Sequence, residues 1–319
     1  MAKKEKKFVD NGWAVWVDGD DTSTVYINNW LNPKGKSYVD FAVRIRGVKA
    51  STYLHVYVPY AITTDEMEDV SLLLNDTKIL QATFSAACLL DYKKNAHASE
   101  VAYNGKTVDI IHISTLEHEA TPLAGGTLIH IDLAGLQPFI DNDEVYFIWR
   151  MPHKSLNEIF KPRVNVGNIL TRLRDLITTP VVTEKYGYSI RLNEARLLPE
   201  GVTRIGAFHR QKLDKAIVTI TVDEDYELND AACYRIRRLE ENLYCGYVPK
   251  GYPTEDMITY QWTQTRAQNL QGQFNFYYNI SKESVSKSSM TLYMILLLAI
   301  SVSGDLTAAA LQYIFSWFQ

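Results

Sequence analysis

The sequence predicts an α+β protein: a β-rich N-terminal cytoplasmic domain, a smaller α+β unit, and a long stalk helix that continues into a C-terminal transmembrane segment. Three observations predict it. From Trp13 to Ile148, short runs rich in β-branched and aromatic residues alternate with turn residues. From Thr254 to Ser289 no proline intervenes, and Ile258, Trp262, Leu270, Phe274 and Tyr277 fall near one helical face. From Met290 to Phe318 only Asp305 is ionisable in an otherwise apolar run, long enough at about 1.5 Å per residue to cross a bilayer core of roughly 30 Å.

Taken in order, residues 1–12 form a basic tail. Lys3, Lys4, Lys6 and Lys7 have no apolar stretch behind them, so the tail is not a secretory signal. Residues 13–150 form the β-rich domain, a sandwich or α+β body. Its strands are WAVWV, TVYIN, YVDFAVRIRGV, TYLHVYVPY, VDIIHIS, TLIHIDL and EVYFIW, separated by turns such as Asp18-Gly19-Asp20, Asn104-Gly105 and Gly125-Gly126. Asp65 to Leu74 and Ile79 to Leu90 are expected as helices between them. Residues 151–253 form the smaller unit. Pro162 stops a helix begun near Ser155, Pro180 ends a helix from Asn165 to Thr178, and Asp230 caps a helix from Ala231 to Tyr244. Between these, TEKYGYSIRLNEARLLP and KLDKAIVTITVD carry strands. The stalk occupies 254–289 and the span 290–318.

Within the span, Ser301, Asp305, Ala308, Gln312 and Ser316 recur at steps of three or four and share one face. An unpaired carboxylate in lipid is costly, so this stripe is expected to face neighbouring helices or a lumen. Self-association into a homo-oligomer follows. Lys282 and Lys287 precede the run and Trp317 ends it, which puts the N-terminal domains in the cytoplasm and the tail in the inner membrane. One span is simpler than a hairpin turned at Ser303-Gly304-Asp305. The competing reading is a soluble interaction or assembly subunit that buries its C-terminal helix or hairpin.

This layout, with Thr254 to Ser289 as stalk and apolar residues at the extreme C-terminus, resembles the CorA-type magnesium channels. The resemblance covers the C-terminal stalk and tail and rests on arrangement, since the family's Gly-Met-Asn signature is absent and Ser303-Gly304-Asp305 stands near its place. No family residue transfers. The resemblance implies an oligomer whose membrane helices gather at an axis under control of a cytoplasmic body.

Composition bounds the chemistry. Apolar residues make up 46% and charged residues 22% of 319, as in an ordinary folded protein. The net charge of -4 argues against nucleic acid as main partner. Cys88, Cys233 and Cys245 lack CxxC spacing, so no disulfide framework or zinc knuckle is indicated. Phosphate-loop, dinucleotide-fold, nucleophile-elbow and kinase signatures are missing, which predicts no enzyme and no cofactor. Arg172 and Arg174, with Arg235, Arg237 and Arg238 on the expected 231–244 helix, are candidates for a phosphate-bearing ligand, because guanidinium forks match phosphate. His112, His118 and His130 are candidate metal ligands. The functional expectation is therefore a membrane protein in which a ligand-sensing cytoplasmic domain controls a pore or membrane-perturbing bundle, as in a CorA-like channel or a bacterial defence effector.

Overall fold

The computed structural model describes residues 9–19, 22–48, 51–84, 88–103, 105–159, 182–205, 208, 212–228, 235–249, 251–267, 273–284 and 287–316. The chain divides into two compact units. One comprises Met1–Lys161, Gly187–Glu224 and Leu228–Asn279, the other Pro162–Tyr186, Asp225–Glu227 and Ile280–Gln319.

The first unit is built from two sheets. In one, β17 (Phe274–Ser284, in this unit up to Asn279), β12 (Val182–Leu192, in this unit from Gly187), β1 (Val9–Val17), β4 (Tyr53–Val58), β10 (Gly126–Asp132) and β9 (His118–Leu123) are neighbours in that order. In the other the order is β15 (Arg235–Arg238), β16 (Met257–Thr265), β13 (Lys212–Asp223), β2 (Thr22–Trp30), β3 (Tyr38–Arg46), β11 (Glu144–Pro152), β8 (Lys106–Ile111), β7 (Ala98–Tyr103) and β6 (Cys88–Lys94), with β5 (Glu68–Asp69) also on β11. β1 runs parallel to β12 and β2 parallel to β13, so strands from both halves of the chain enter both sheets.

Alternation along each strand decides what faces what. Trp13 on β1 stacks on Phe41 of β3 at 5.9 Å, and Trp262 on β16 stacks on Tyr278 of β17 at 6.1 Å. These contacts carry side chains of one sheet onto those of the other, and such ring pairs contribute about 0.5–1.5 kcal/mol beyond area burial. The outer face of β1 is covered as well. Ala14 and Trp16 pack with Tyr57, Leu128, Leu198, Val202 and Phe208, the last three from the segment around α3 (Glu200–Thr203). Covering on both faces explains why WAVWV is apolar throughout rather than alternating. Gly126 opens β10 because nothing larger fits: a Cβ there would lie 2.1 Å from the Val58 carbonyl oxygen.

Mixed α+β composition, the strand-rich N-terminal region and an apolar C-terminal helix agree with expectation. Several local expectations do not. The described part of Thr254 to Ser289 is not a stalk helix but chiefly the strands β16 and β17. Phe274, Phe276, Tyr278 and Ile280 are buried in alternation, so the period is two and the helical match of Phe274 and Tyr277 was incidental. The helix expected over Ala231 to Tyr244 is replaced, in its described part, by strand β15 and the short α4 (Glu241–Tyr244). Antiparallel pairing of Arg235 to Arg238 with Gln261 to Ile258 fixes that segment as an edge strand. Between Asp65 and Leu90 lie 3-10 turns at Thr64–Glu66 and Ser71–Asn75 and α1 (Thr77–Phe84), after which Cys88 already begins β6. A short α2 (Lys154–Ile159) stands where a helix before Pro162 was expected. The helix predicted over Asn165 to Thr178 lies outside the described residues.

The second unit contains β14 (Tyr226–Leu228, apart from its last residue) and α5 (Lys287–Ser316). Lys282 pairs with Asp225 and sets its ammonium 4.8 Å from the centre of the Tyr226 ring. α5 is continuous through Ser303-Gly304-Asp305, so no hairpin turn forms there. Met290–Ile314, 25 residues, is long and apolar enough to cross a membrane, and none of it is buried.

Candidate functional site

Strand alternation on the outer face of the larger sheet assembles a cleft of about 290 Å³ within the first unit. Two rungs cross its floor. Asn28, Thr219, Gln261 and Arg235 are register partners across β2, β13, β16 and β15, and so are Trp30, Thr221, Thr259 and Arg237 one step further along. A third row, Tyr146, Arg44, Thr24 and Lys215, crosses β11, β3, β2 and β13. A register shift between Leu213 and Lys215 turns Lys215 onto this face with Ile217, Thr219 and Thr221, while Ala216, Val218 and Ile220 go into the core. Thr83 and Phe84 at the end of α1, with Tyr244 and Tyr247 near α4, form the walls.

The lining is chemically one-sided. Arg44, Lys215, Arg235 and Arg237 are there, and among the described residues no acidic side chain is. Arg44 is itself paired with Glu144. Arg237 donates from Nη2 to the Tyr244 hydroxyl at 3.4 Å, and burial holds the Tyr244 phenol above its ordinary pKa despite that arginine. Two aromatic groups flank the floor. Tyr26 and Phe84 both meet Tyr146, at 5.9 and 4.9 Å, and Trp30 meets Tyr244 and Tyr247 at 6.5 and 6.0 Å.

A buried ion pair supports this floor. Arg150 donates from Nε and Nη2 to the two Asp40 oxygens at 2.6 and 2.9 Å and from Nη1 to the Tyr247 carbonyl at 2.8 Å, while Trp30 Nε1 donates to Asp40 at 2.8 Å. Burial weakens the charged guanidinium, but the Asp40 carboxylate outweighs it and raises the Arg150 pKa.

Of the five arginines singled out from sequence, Arg235 and Arg237 line the cleft, Arg238 points the other way and pairs with Asp256, and Arg172 and Arg174 lie outside the described residues. Arg44, Lys215 and the aromatic walls were missed. The alternating Lys215, Ile217, Thr219, Thr221 face and the TVYIN strand were visible in the sequence, but their pairing with each other and with β16 was not.

The three candidate histidines do not converge: His118 and His130 are on the paired strands β9 and β10 but one register step apart, hence on opposite faces, and His112 follows β8 in the other sheet. His112 is buried between Ser71 and Ser99, at 2.8 and 3.1 Å from their hydroxyls, and His118 lies 2.9 Å from the Leu116 carbonyl. His130 shares a 2.8 Å Nδ1 to Nδ1 contact with His55, whose Nε2 lies 3.0 Å from Asp18. Burial lowers the pKa of both His55 and His130, an effect that Asp18 opposes. Among the described residues no group of three His, Cys, Asp or Glu side chains is placed to hold a metal ion.

On α5, Ser301, Asp305, Ala308, Gln312 and Ser316 are all exposed. The Ser303, Thr307 and Ser316 hydroxyls donate to the carbonyls of Ile300, Ser303 and Tyr313 at 2.7 to 2.9 Å.

No family model and no curated protein matches the chain. Among solved structures the chain aligns with the Fcho1 Mu homology domain of Danio rerio with bound Eps15 peptide, at 8% identity over 85% of this chain and 80% of that one. The TM-score of 0.10 is too low to define a common fold.

Proposed function

We propose that the protein is a homo-oligomer anchored in the inner membrane by α5, with its strand-rich body in the cytoplasm. The body binds a phosphate-bearing small molecule in the cleft, and this binding controls α5 helices assembled as a pore or membrane-perturbing bundle. The observation that carries the reading is the exposure of α5: Ile295, Leu298, Val302 and Leu306 are 57%, 62%, 57% and 67% exposed. Leaving such surface in water forgoes roughly 25 cal/mol per Å², a loss that lipid removes. Hydroxyls turned back onto the helix's own carbonyls suit a medium with no water to satisfy them. Asp305 and Gln312, two turns apart on one face, are then the polar groups around which copies gather, and the carboxylate favours cations in a lumen. The proposed role is regulated permeation, as in a CorA-like channel or a bacterial defence effector, without catalytic turnover.

Fractionation tests the anchor. The full chain is expected in the membrane fraction, released by detergent, and a chain ending at Ser289 in the soluble fraction. Both chains soluble without detergent would overturn the anchor. In liposomes, Asp305→Asn is expected to pass cations several-fold more slowly than the wild type. Equal flux would remove the carboxylate from the mechanism, and no flux from either would reduce α5 to an anchor.

A further inference from the structure

Resting on the reading of the cleft as a ligand site, we infer that its ligand is a nucleoside monophosphate, with the phosphate held by Arg235 and Arg237 and the base against Tyr26 and Phe84. Charge disfavours the cationic alternatives: among the described residues Lys215, Arg235, Arg237 and the Glu144-paired Arg44 line the cleft and no acidic side chain does, which argues against metal ions, polyamines and any ligand with an ammonium group. Guanidinium forks bind phosphate oxygens in pairs.

Size selects among the anions. At about 290 Å³ the cleft sits at the bottom of the roughly 300–1,000 Å³ range of small-molecule sites, so one base, one sugar and one phosphate fill it and a dinucleotide overfills it. Spacing requires more than phosphate alone. β15 lies three strands from β2, about 14 Å at roughly 4.8 Å per strand. An ion seated among the β15 arginines therefore leaves Tyr26 and Phe84 unused, whereas a ligand with a ring at its far end reaches them once the arginines lean inward.

Tyr26 and Phe84 are only half-buried, while Trp30, Tyr146, Tyr244 and Tyr247 are buried behind or beside them. Half-exposed rings braced by Tyr146 are the side chains of the lining against which a base would lie. Asn28, Thr219 and Gln261 lie on the rung between the rings and Arg235, where a sugar would pass.

The test uses the full chain in detergent micelles, titrated calorimetrically with AMP, adenosine and inorganic phosphate, then with GMP, CMP and UMP. AMP is expected to bind at least about tenfold more tightly than adenosine or phosphate, given charge-assisted contacts at one end and stacking at the other. Arg235→Gln and Arg237→Gln are each expected to weaken AMP about tenfold, with Arg235→Lys retaining part of the binding. Phe84→Leu should weaken AMP while leaving the phosphate affinity unchanged. Adenosine or phosphate binding as tightly as AMP, indifference to both charge variants, or no binding of any of the four nucleotides would overturn the inference. A soluble chain that binds AMP would sink the membrane reading alone, and a membrane-bound chain indifferent to nucleotides would sink this one alone.

Discussion

Replacing Asp40 with alanine is expected to destabilise the folded chain by about 3–5 kcal/mol, the range for removing one partner of a buried ion pair. Asp40 is fully buried and Arg150 is 2% exposed, so the guanidinium left behind has neither water nor counter-charge. Trp30 loses its acceptor at the same stroke. Two walls of the cleft then loosen together, because Arg150 also holds the Tyr247 carbonyl and lies 5.0 Å from the centre of that ring. Urea unfolding measures the loss, and a change below about 1 kcal/mol would show that solvent reaches Arg150. The double variant Asp40→Leu with Arg150→Met separates charge from packing. Buried pairs exchanged for apolar residues of similar volume are often neutral, so most of the lost stability should return while the cleft stays altered.

How much of this was legible in the sequence depends on range. The strands between Trp13 and Ile148 were readable because alternation and turn residues are local signals, and β1, β3, β10 and β11 stand where they were expected. The apolar helix was readable for the same reason: its composition alone bounds it. What was not readable is partnership. β15 looked helical because Ile236, Leu239 and Leu243 recur at three and four residues, yet its edge pairing with β16 overrides that weak local preference. The same applies to Ile258 and Trp262, whose i, i+4 spacing also satisfies a strand's period of two.

The cleft follows the same division. Arginine was picked out for its chemistry, and Arg235 and Arg237 are in the lining. Lys215 and Arg44 reach it only through the parallel pairing of β2 with β13 and the antiparallel pairing of β2 with β3. The β2 to β13 pairing joins distant stretches of chain and leaves no mark in any short window. The histidines illustrate the converse. His112 and His130 both lie in alternating strand-like runs, but His112 follows β8 in the larger sheet and His130 sits on β10 in the other, so similar local patterns said nothing about proximity.

Lowering the pH from 7 toward 4 is expected to erode stability largely through His153. This ring is fully buried among Trp13, Tyr60 and Tyr188, and burial pushes its pKa down from 6.5 to about 3. Both nitrogens suit the neutral form: Nδ1 accepts from the Leu156 amide at 3.4 Å, and Nε2 lies 3.2 Å from the Tyr188 hydroxyl, to which it can donate. Below pH 6.5 the unfolded chain takes up a proton that the folded chain refuses until about pH 3. Unfolding is therefore favoured as pH falls, by about 1.4 kcal/mol per unit within that window and about 4–5 kcal/mol across it. The stability is complete above pH 6.5 and the loss levels off below about pH 3. His55 and His130, also lowered, add slope of the same sign, so the wild-type curve alone does not isolate one ring. Subtracting the urea-unfolding curve of His153→Gln does, because a glutamine amide does not titrate. The difference should run at about 1.4 kcal/mol per pH unit between pH 6 and 4. A flat difference would mean that the folded ring takes its proton near 6.5 and that water reaches it.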